Sequence, residues 1–216
     1  MARRTKEESE QTRLRILGAA RKTFLRRGMT GTTLEHIATA AGVTRGAIYW
    51  HFANKKALFD AMRAQVSLPM IDRTETGLLA IGRNDPLGCV EEFLKRMLDA
   101  VTSCPETRQT FEIMAFKCEY VAEFEGELQD HCSKATEIAD TLTVVYRRAQ
   151  RHGQLRAGLT PRLAAIETLV FLMGLMRLWL LDQQRNLVRS AATRLIKAHI
   201  AGRRATARAR RARITA

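Results

Sequence analysis

Hydrophobic residues recur at three- and four-residue spacing along most of the chain, which is the period of an α-helix. No segment shows the two-residue alternation of a half-buried strand. The pattern therefore predicts an all-α fold. After a first helix at about 8–27, further helices are predicted at about 86–103, 105–120, 123–152, 161–182 and 187–201.

Prolines and glycines mark the ends of these helices. Pro86, Pro105 and Pro161 stand at predicted first helical positions, where the missing N–H of proline costs nothing. Gly28 and Gly153 follow predicted last turns, so each is expected to stop the helix before it.

Two short helices joined by a glycine are predicted after the first helix. Thr32 and Glu35 have the spacing of a capping box at the start of the first short helix. Gly42 can adopt the positive φ of a sharp turn, and Thr44 is a suitable N-cap for the second short helix. This arrangement predicts a helix-turn-helix.

The second short helix has one apolar side and one polar, aromatic side. Val43, Ile48 and Phe52 form the apolar side. The other side presents Arg45, Tyr49, Trp50 and His51. An element of about eight residues is roughly 12 Å long, which suits insertion into a DNA major groove.

The charge of the chain is concentrated at its two ends. The net charge is +14. Residues 1–63 hold 13 Lys and Arg against 5 Asp and Glu, residues 64–202 are balanced, and residues 203–216 hold six arginines and no acid. Basic ends on a neutral body are expected of a protein that binds phosphates with its ends.

The segment from about Thr12 to Met62 resembles the DNA-binding head of the TetR/AcrR family of bacterial repressors. The matching positions include Gly28, Thr32-Thr33, Ile37-Ala38, Ala41-Gly42-Val43, Arg45-Gly46, Ile48 to Phe52, Lys55, Leu58 and Phe59. Further along, the chain resembles the multidrug-efflux-pump repressors within that family. Those matches lie at Asp85 to Cys89, Lys117 to Tyr120 and Gly174 to Leu181.

The resemblance implies a homodimer with small N-terminal heads and larger ligand-binding bodies. We expect a DNA-binding domain at 8–53 and a ligand-binding and dimerisation domain at 54–202, which begins with a connecting helix at 54–82. The arginine-rich segment 203–216 has no large apolar run and is expected to be a flexible tail. The tail either has no specific role or touches DNA phosphates.

The DNA contacts are predicted from the geometry of the motif together with the family match. Arg45 is expected to read a base edge, because a guanidinium can bridge O6 and N7 of guanine. Gly46 would allow close approach, and Ala47 would touch a thymine methyl group. The predicted sugar and phosphate contacts are Thr33, Thr44, Tyr49, Trp50, His51 and Lys55. Packing within the head is the alternative role for Tyr49 and Trp50, and helix capping is the alternative for His51.

The helix at 161–182 is apolar on all sides, so it must be covered on all sides. One side can pack inside the subunit while another packs against a partner subunit, in agreement with the family's dimer interface. The predicted interface residues are Phe171, Leu175, Leu178, Trp179 and Leu195.

The resemblance also implies an inducer pocket in the body. Its predicted residues are Phe93, Met97, Phe111, Met114, Phe116, Leu169, Leu172, Met173 and Met176. Methionine side chains suit a pocket that accepts several shapes, although such a stripe can equally be plain core. Phe111, Ala115 and Met173 stand where similar efflux repressors often have polar residues, so a large apolar ligand is expected.

Several other classes of protein are disfavoured. The N-terminus lacks the apolar region of a signal peptide, and the run from Leu169 to Met176 is too short to span a bilayer. Neither a metal site, a cofactor nor a disulfide framework is expected, and the protein is predicted to be cytoplasmic and nucleoid-associated when DNA-bound. The four cysteines, which form no C-x-x-C pair, are Cys89, Cys104, Cys118 and Cys132.

Together these features predict a ligand-responsive transcriptional repressor. It would bind a near-palindromic operator as a dimer, be released by a hydrophobic small molecule and control a multidrug efflux pump operon. The same head fits a regulator of a metabolic operon or an activator, and the charge alone fits a sequence-independent DNA-binding protein. No acid–base or nucleophile constellation of an enzyme is visible in the sequence.

Overall fold

Helices make up most of the structure. A computed structural model describes residues 6–66, 85–119, 124–184 and 187–205. In these ranges the extended pairing is limited to one antiparallel bridge between Leu155 and Arg204, so the predicted all-α class is confirmed. The helices are α1 (Lys6–Arg27), α2 (Leu34–Ala41), α3 (Arg45–His51), α4 (55–66), α5 (Pro86–Ser103), α6 (Pro105–Phe116), α7 (Glu125–Arg151), α8 (Pro161–Leu181) and α9 (Ala192–Ala201).

The predicted helix starts at the three prolines are confirmed, whereas two predicted bounds change. Helix α6 ends at Phe116 rather than near residue 120. Helix α9 begins at Ala192 rather than at 187, because the buried carboxylate of Asp182 accepts the backbone N–H groups of Leu187, Val188 and Arg189 at 2.9–3.3 Å. Of the predicted connecting helix, residues 67–82 lie outside the described residues.

The first of two compact units contains α1 to α4 together with α6. It comprises the described residues of Met1–Pro69 and of Ser103–Leu128. Its buried core includes Ile16, Leu17, Phe24, Ile37, Ile48, Leu58, Phe59, Met62, Ile113 and Phe124. The predicted boundary after residue 53 does not coincide with this division, because α6 contributes the fully buried Ile113 to the core of the head.

The helix-turn-helix forms as predicted except for its first cap. Gly42 has a φ of 63° and ends α2, and the Thr44 hydroxyl accepts the Ala47 N–H at the start of α3. The capping box, however, is made by Thr33 and His36, not by Thr32 and Glu35. Thr32 is buried, and its hydroxyl donates to the Gly28 carbonyl at 2.7 Å instead.

The second unit comprises the described residues of Met70–Thr102 and of Gln129–Ala216, with α5, most of α7, α8 and α9. A hydrogen-bonded chain crosses its interior. The hydroxyl of the buried Tyr146 lies 2.7 Å from Thr168 Oγ1, which lies 3.0 Å from His199 Nε2. Burial and the nearby Arg203 lower the pKa of His199 to about 4, so this ring is neutral at physiological pH.

Helix α8 has one covered and one uncovered apolar side. By length and composition it could cross a membrane, and nearly half of its apolar length is buried inside the protein. Its buried side includes Thr168, Leu172, Leu175 and Trp179. The uncovered side carries the exposed residues Leu163, Ile166, Val170, Met173, Leu178 and Leu181.

The predicted tail begins with residues that are fixed in the second unit. Arg203 is 8% exposed and donates to Glu167 at 2.8 Å, and both terminal guanidinium nitrogens of Arg204 lie 3.2 Å from Asp85 carboxylate oxygens. The Ala205 N–H donates to the Gln154 carbonyl at 2.7 Å. A flexible tail can therefore start only after residue 205, and residues 206–216 lie outside the described residues.

Candidate DNA-binding site

The outer face of α3 presents a cation beside two aromatic rings. The side chain of Arg45 is 67% exposed, Trp50 is 73% exposed and Tyr49 is 46% exposed. This exposure disfavours packing within the head as the role of Trp50, whereas Tyr49 is partly covered. The face is therefore available to a partner.

Neighbouring side chains hold Arg45 in place. One of its terminal nitrogens lies 3.5 Å from the Tyr49 hydroxyl, and its guanidinium lies 5.5 Å from the centre of the Tyr49 ring. Its Nε lies 3.9 Å from a Glu35 carboxylate oxygen. The hydrogen bond to Tyr49, with the charge of Glu35, raises the pKa of Arg45, a side chain that is already cationic at physiological pH.

Gly46 has no structural role in the packing of the head. A Cβ atom at this position would meet nothing closer than the Thr44 Oγ1 at 4.0 Å, and the residue is exposed within a helix. Glycine in the middle of a helix costs roughly 0.5–1 kcal/mol relative to alanine, and this is the upper limit for Gly46, which lies in the first turn of α3. Its presence therefore favours a function in which something approaches the backbone of α3 closely.

The remaining predicted DNA-contact residues of the helix-turn-helix fall into three groups. Thr33 and Thr44 are exposed N-caps of α2 and α3, where helix N-termini attract anions. His51 is half-buried, and its ring meets the Trp50 ring edge-on with centroids 4.6 Å apart. Ala47 is half-buried on α3.

Lys55, another predicted phosphate contact, is half-buried and makes two contacts within the first unit. Its ammonium donates to the Met29 carbonyl at 3.0 Å and lies 5.6 Å from the centre of the Phe124 ring. The Met29 N–H in turn donates to the Lys117 carbonyl at 2.9 Å. This bond connects the loop between α1 and α2 to the segment after α6. The Thr30 hydroxyl adds a hydrogen bond to Glu119 at 3.0 Å.

These ties were not predicted from the sequence. Lys117 and Glu119 were noted only for the family match, and hydrophobic periodicity gives no signal for a bond between a loop and the end of a distant helix. Nor was the Thr33–His36 cap, because histidine is not the usual third residue of a capping box.

The predicted inducer residues are divided between the two units. Phe111, Met114 and Phe116 are half-buried in the first unit. In the second unit Phe93, Leu172 and Met176 are buried, Met97 and Leu169 are half-buried, and Met173 is 45% exposed.

The predicted dimer residues include both covered and uncovered side chains. Leu175 and Trp179 are each 5% exposed, whereas Leu178 and Leu195 are 44% and 38% exposed. The ring of Phe171 stacks on His199 with centroids 4.0 Å apart. Within the described parts of the chain, His, Cys, Asp and Glu residues form no group that could hold a metal ion, and the four cysteines form no disulfide bond.

Comparison with known proteins agrees with this geometry. Residues 16–62 match the family model of bacterial regulatory proteins of the tetR family. Residues 85–202 match the model of the C-terminal region of MAATS-type transcriptional repressors. The HTH-type transcriptional regulator TtgR of Pseudomonas putida is 37% identical over 185 residues, which cover 84% of this chain and 86% of TtgR.

Solved structures extend the similarity to the whole fold. NalD, the secondary repressor of the MexAB-OprM multidrug efflux pump in Pseudomonas aeruginosa, superposes with a TM-score of 0.81 at 32% identity, covering 92% of this chain and 98% of NalD. The SmeT–triclosan complex gives a TM-score of 0.74 at 26% identity, with coverage of 89% and 91%. SmeT is the repressor of the Stenotrophomonas maltophilia efflux pump SmeDEF. With both family models and this full-length similarity, the chain belongs to the TetR family of bacterial transcriptional regulators.

Proposed function

We propose that this protein is a homodimeric repressor of a multidrug efflux pump operon and that a hydrophobic small molecule releases it from its operator. The similarity to NalD and SmeT, both efflux pump repressors, supports the target. The observation that carries the DNA-binding part is the exposed, capped helix α3, with Arg45 on its outer face.

In this proposal Arg45 reads a base edge in the major groove. Gly46 and Ala47 allow α3 to approach the bases. Phosphate and sugar contacts come from Thr33, Thr44, Tyr49, Trp50 and His51. Lys55 donates to the Met29 carbonyl inside the first unit, and its ammonium, with three N–H donors, can still contact a phosphate.

The uncovered side of α8 supports the dimer. Its exposed leucine, isoleucine, valine and methionine side chains form an apolar stripe that is interrupted by the exposed Arg177, and such a stripe on a soluble protein marks a contact surface. Gly174 lies in the same stripe, and a Cβ there would meet nothing within 4 Å. Two copies of α8 can therefore approach closely at this point.

Ligand release is supported by the place of α6 in the first unit. Helix α6 carries three predicted pocket residues, and the segment after it holds the α1–α2 loop through Lys117 and Glu119. A ligand that favours a different position of α6 would shift this loop and, with it, the helix-turn-helix. DNA affinity then falls by the ratio of the ligand's affinities for the two states.

We further propose that the protein acts in the cytoplasm and binds its ligand without transforming it. Incubation of the purified protein with triclosan, followed by mass spectrometry, should recover triclosan unchanged. A reaction product that forms in proportion to protein concentration would refute this part of the proposal.

A footprinting experiment tests the function directly. The full-length protein should protect a near-palindromic segment upstream of an efflux pump operon, and triclosan, the ligand of the SmeT complex, or another hydrophobic drug should abolish the protection. Protection that no hydrophobic compound of a broad panel reverses would contradict ligand-controlled repression.

A further inference from the structure

The body of the protein is neutral overall but carries one strongly basic stretch. From Thr141 to Ile166 the sequence contains five arginines and no aspartate or glutamate. The proposed contacts to operator DNA do not involve this stretch, because they all lie on α2 and α3. Operator binding therefore does not account for the positive charge of this stretch.

Three of these arginines surround a cleft in the second unit. The cleft has a volume of about 460 Å³ and lies between the C-terminal half of α7 and the first turn of α8. It is lined by Thr143, Arg147, Gln150, Arg151, Thr160, Pro161 and Arg162. A cleft of this size is within the usual range for small-molecule sites, and no acidic residue lines it.

The guanidinium groups approach the cleft from two sides. Arg147 and Arg151 are one turn apart on α7 and share a face with Thr143. Both are exposed, and within the described part of the chain neither has a carboxylate within ion-pair distance. Arg162 comes from α8 and forms an ion pair with Asp140 at the rim.

The two threonine hydroxyl groups of the lining are already engaged in hydrogen bonds within their own helices. The Thr143 hydroxyl donates to the Ala139 carbonyl at 2.7 Å, and the Thr160 hydroxyl accepts the Leu163 N–H at 3.3 Å. Pro161 has no N–H to offer. The guanidinium groups are therefore the main groups available to bind a ligand, and guanidinium groups form bidentate hydrogen bonds with phosphate oxygens.

We infer that this cleft binds a phosphate-bearing small molecule. Donors that converge from two helices suit a tetrahedral phosphate group, which has oxygens in several directions, better than a planar carboxylate, which one guanidinium satisfies. The site is separate from the proposed operator and inducer sites, and it stands whether or not those assignments hold.

The test is calorimetric titration of the full-length protein at low salt with pyrophosphate, ATP and citrate. Pyrophosphate represents an inorganic source, ATP a nucleotide source and citrate a carboxylate of similar charge. Arg147→Gln and Arg151→Gln should each weaken the binding of pyrophosphate or ATP by about tenfold or more, because each removes a hydrogen bond between charged groups. Circular dichroism checks that the variants fold.

Arg156→Gln is the matched control. Arg156 belongs to the same basic stretch and is exposed, but it does not line the cleft. Its substitution should change the affinity less than twofold. An equal loss in Arg156→Gln and Arg147→Gln would overturn the proposal in favour of diffuse charge, and citrate binding as tightly as pyrophosphate would overturn the phosphate assignment. Absence of phosphate binding, with loss of random-sequence DNA binding in the cleft variants, would make this a nucleic-acid surface and refute the site.

Discussion

Truncation of Ile113 tests whether α6 is a structural part of the DNA-binding head. Ile113 is fully buried in the core of the first unit although it comes from α6. Ile113→Ala removes a buried apolar group and leaves a cavity, a change that typically costs 2–5 kcal/mol. Since about 1.4 kcal/mol is a factor of ten in an equilibrium constant, the head should open at least about 30-fold more often.

Hydrogen exchange read by mass spectrometry measures this opening. Amides in the middle of α1, around Ile16 and Ala20, should lose protection in Ile113→Ala and lose less in Ile113→Val, for which about 0.5–1.5 kcal/mol is expected. The milder variant keeps the test valid if the alanine variant fails to fold.

Leu14→Ala is the matched control, because it removes the same number of carbon atoms from a side chain that is 48% exposed on α1. It should leave protection nearly unchanged. If Ile113→Ala and Ile113→Val alter exchange only in α6 and leave α1 protected as before, then α6 does not stabilise the head, and the proposed route from ligand to DNA through α6 is refuted.

Three other changes have defined outcomes. Gly46→Ala should stabilise α3 by at most roughly 0.5–1 kcal/mol and should weaken operator binding in a gel shift. Unchanged operator affinity would contradict the proposal that α3 approaches the bases closely at Gly46. Val170 lies on the uncovered side of α8 and is 65% exposed. Val170→Asp should therefore be a folded monomer in analytical ultracentrifugation, where the wild-type protein should be a dimer. A variant that remains dimeric would show that the interface lies elsewhere. The free energy of unfolding should fall as pH drops from about 7 to about 4. In the unfolded chain His199 takes up a proton near pH 6.5, whereas in the folded protein it stays neutral down to about pH 4. The contribution of His199 is at most about 3 kcal/mol, and denaturant titrations of His199→Gln should lack it; an identical pH dependence in the variant would contradict the neutral, hydrogen-bonded ring.

Local chemistry made the helix ends predictable. Proline at a first helical position and glycine with positive φ act through their own backbone, so Pro86, Pro105, Pro161 and Gly42 could be interpreted from the sequence alone. The outward position of Arg45 and Trp50 also follows from the periodicity of one short helix.

Tertiary contacts decided the features that the sequence did not predict. Thr32 and Thr33 are equally good caps by residue type, but Thr32 is turned into the interior by its bond to the Gly28 carbonyl, which leaves Thr33 as the cap. Periodicity predicted a helix at about 105–120 but not the elements against which it packs, so the place of Ile113 in the core of the head could not be predicted. Likewise, only the structure of the α8–α9 connection shows that the Asp182 carboxylate binds the backbone N–H groups of residues that were expected to start α9.

The identity of the base-reading residue is the most direct test of the proposed repressor. Binding of wild-type protein, Arg45→Ala and Arg26→Ala would be measured by gel shift, at one fixed salt concentration, on an operator selected from a random-sequence library and on a scrambled duplex. Arg26 is an exposed arginine in the last turn of α1 and serves as the charge-matched control. Arg45→Ala should lose about 1–3 kcal/mol on the operator and little on the scrambled duplex, while Arg26→Ala should lose little on either. Equal loss on both duplexes in Arg45→Ala would contradict base reading by α3.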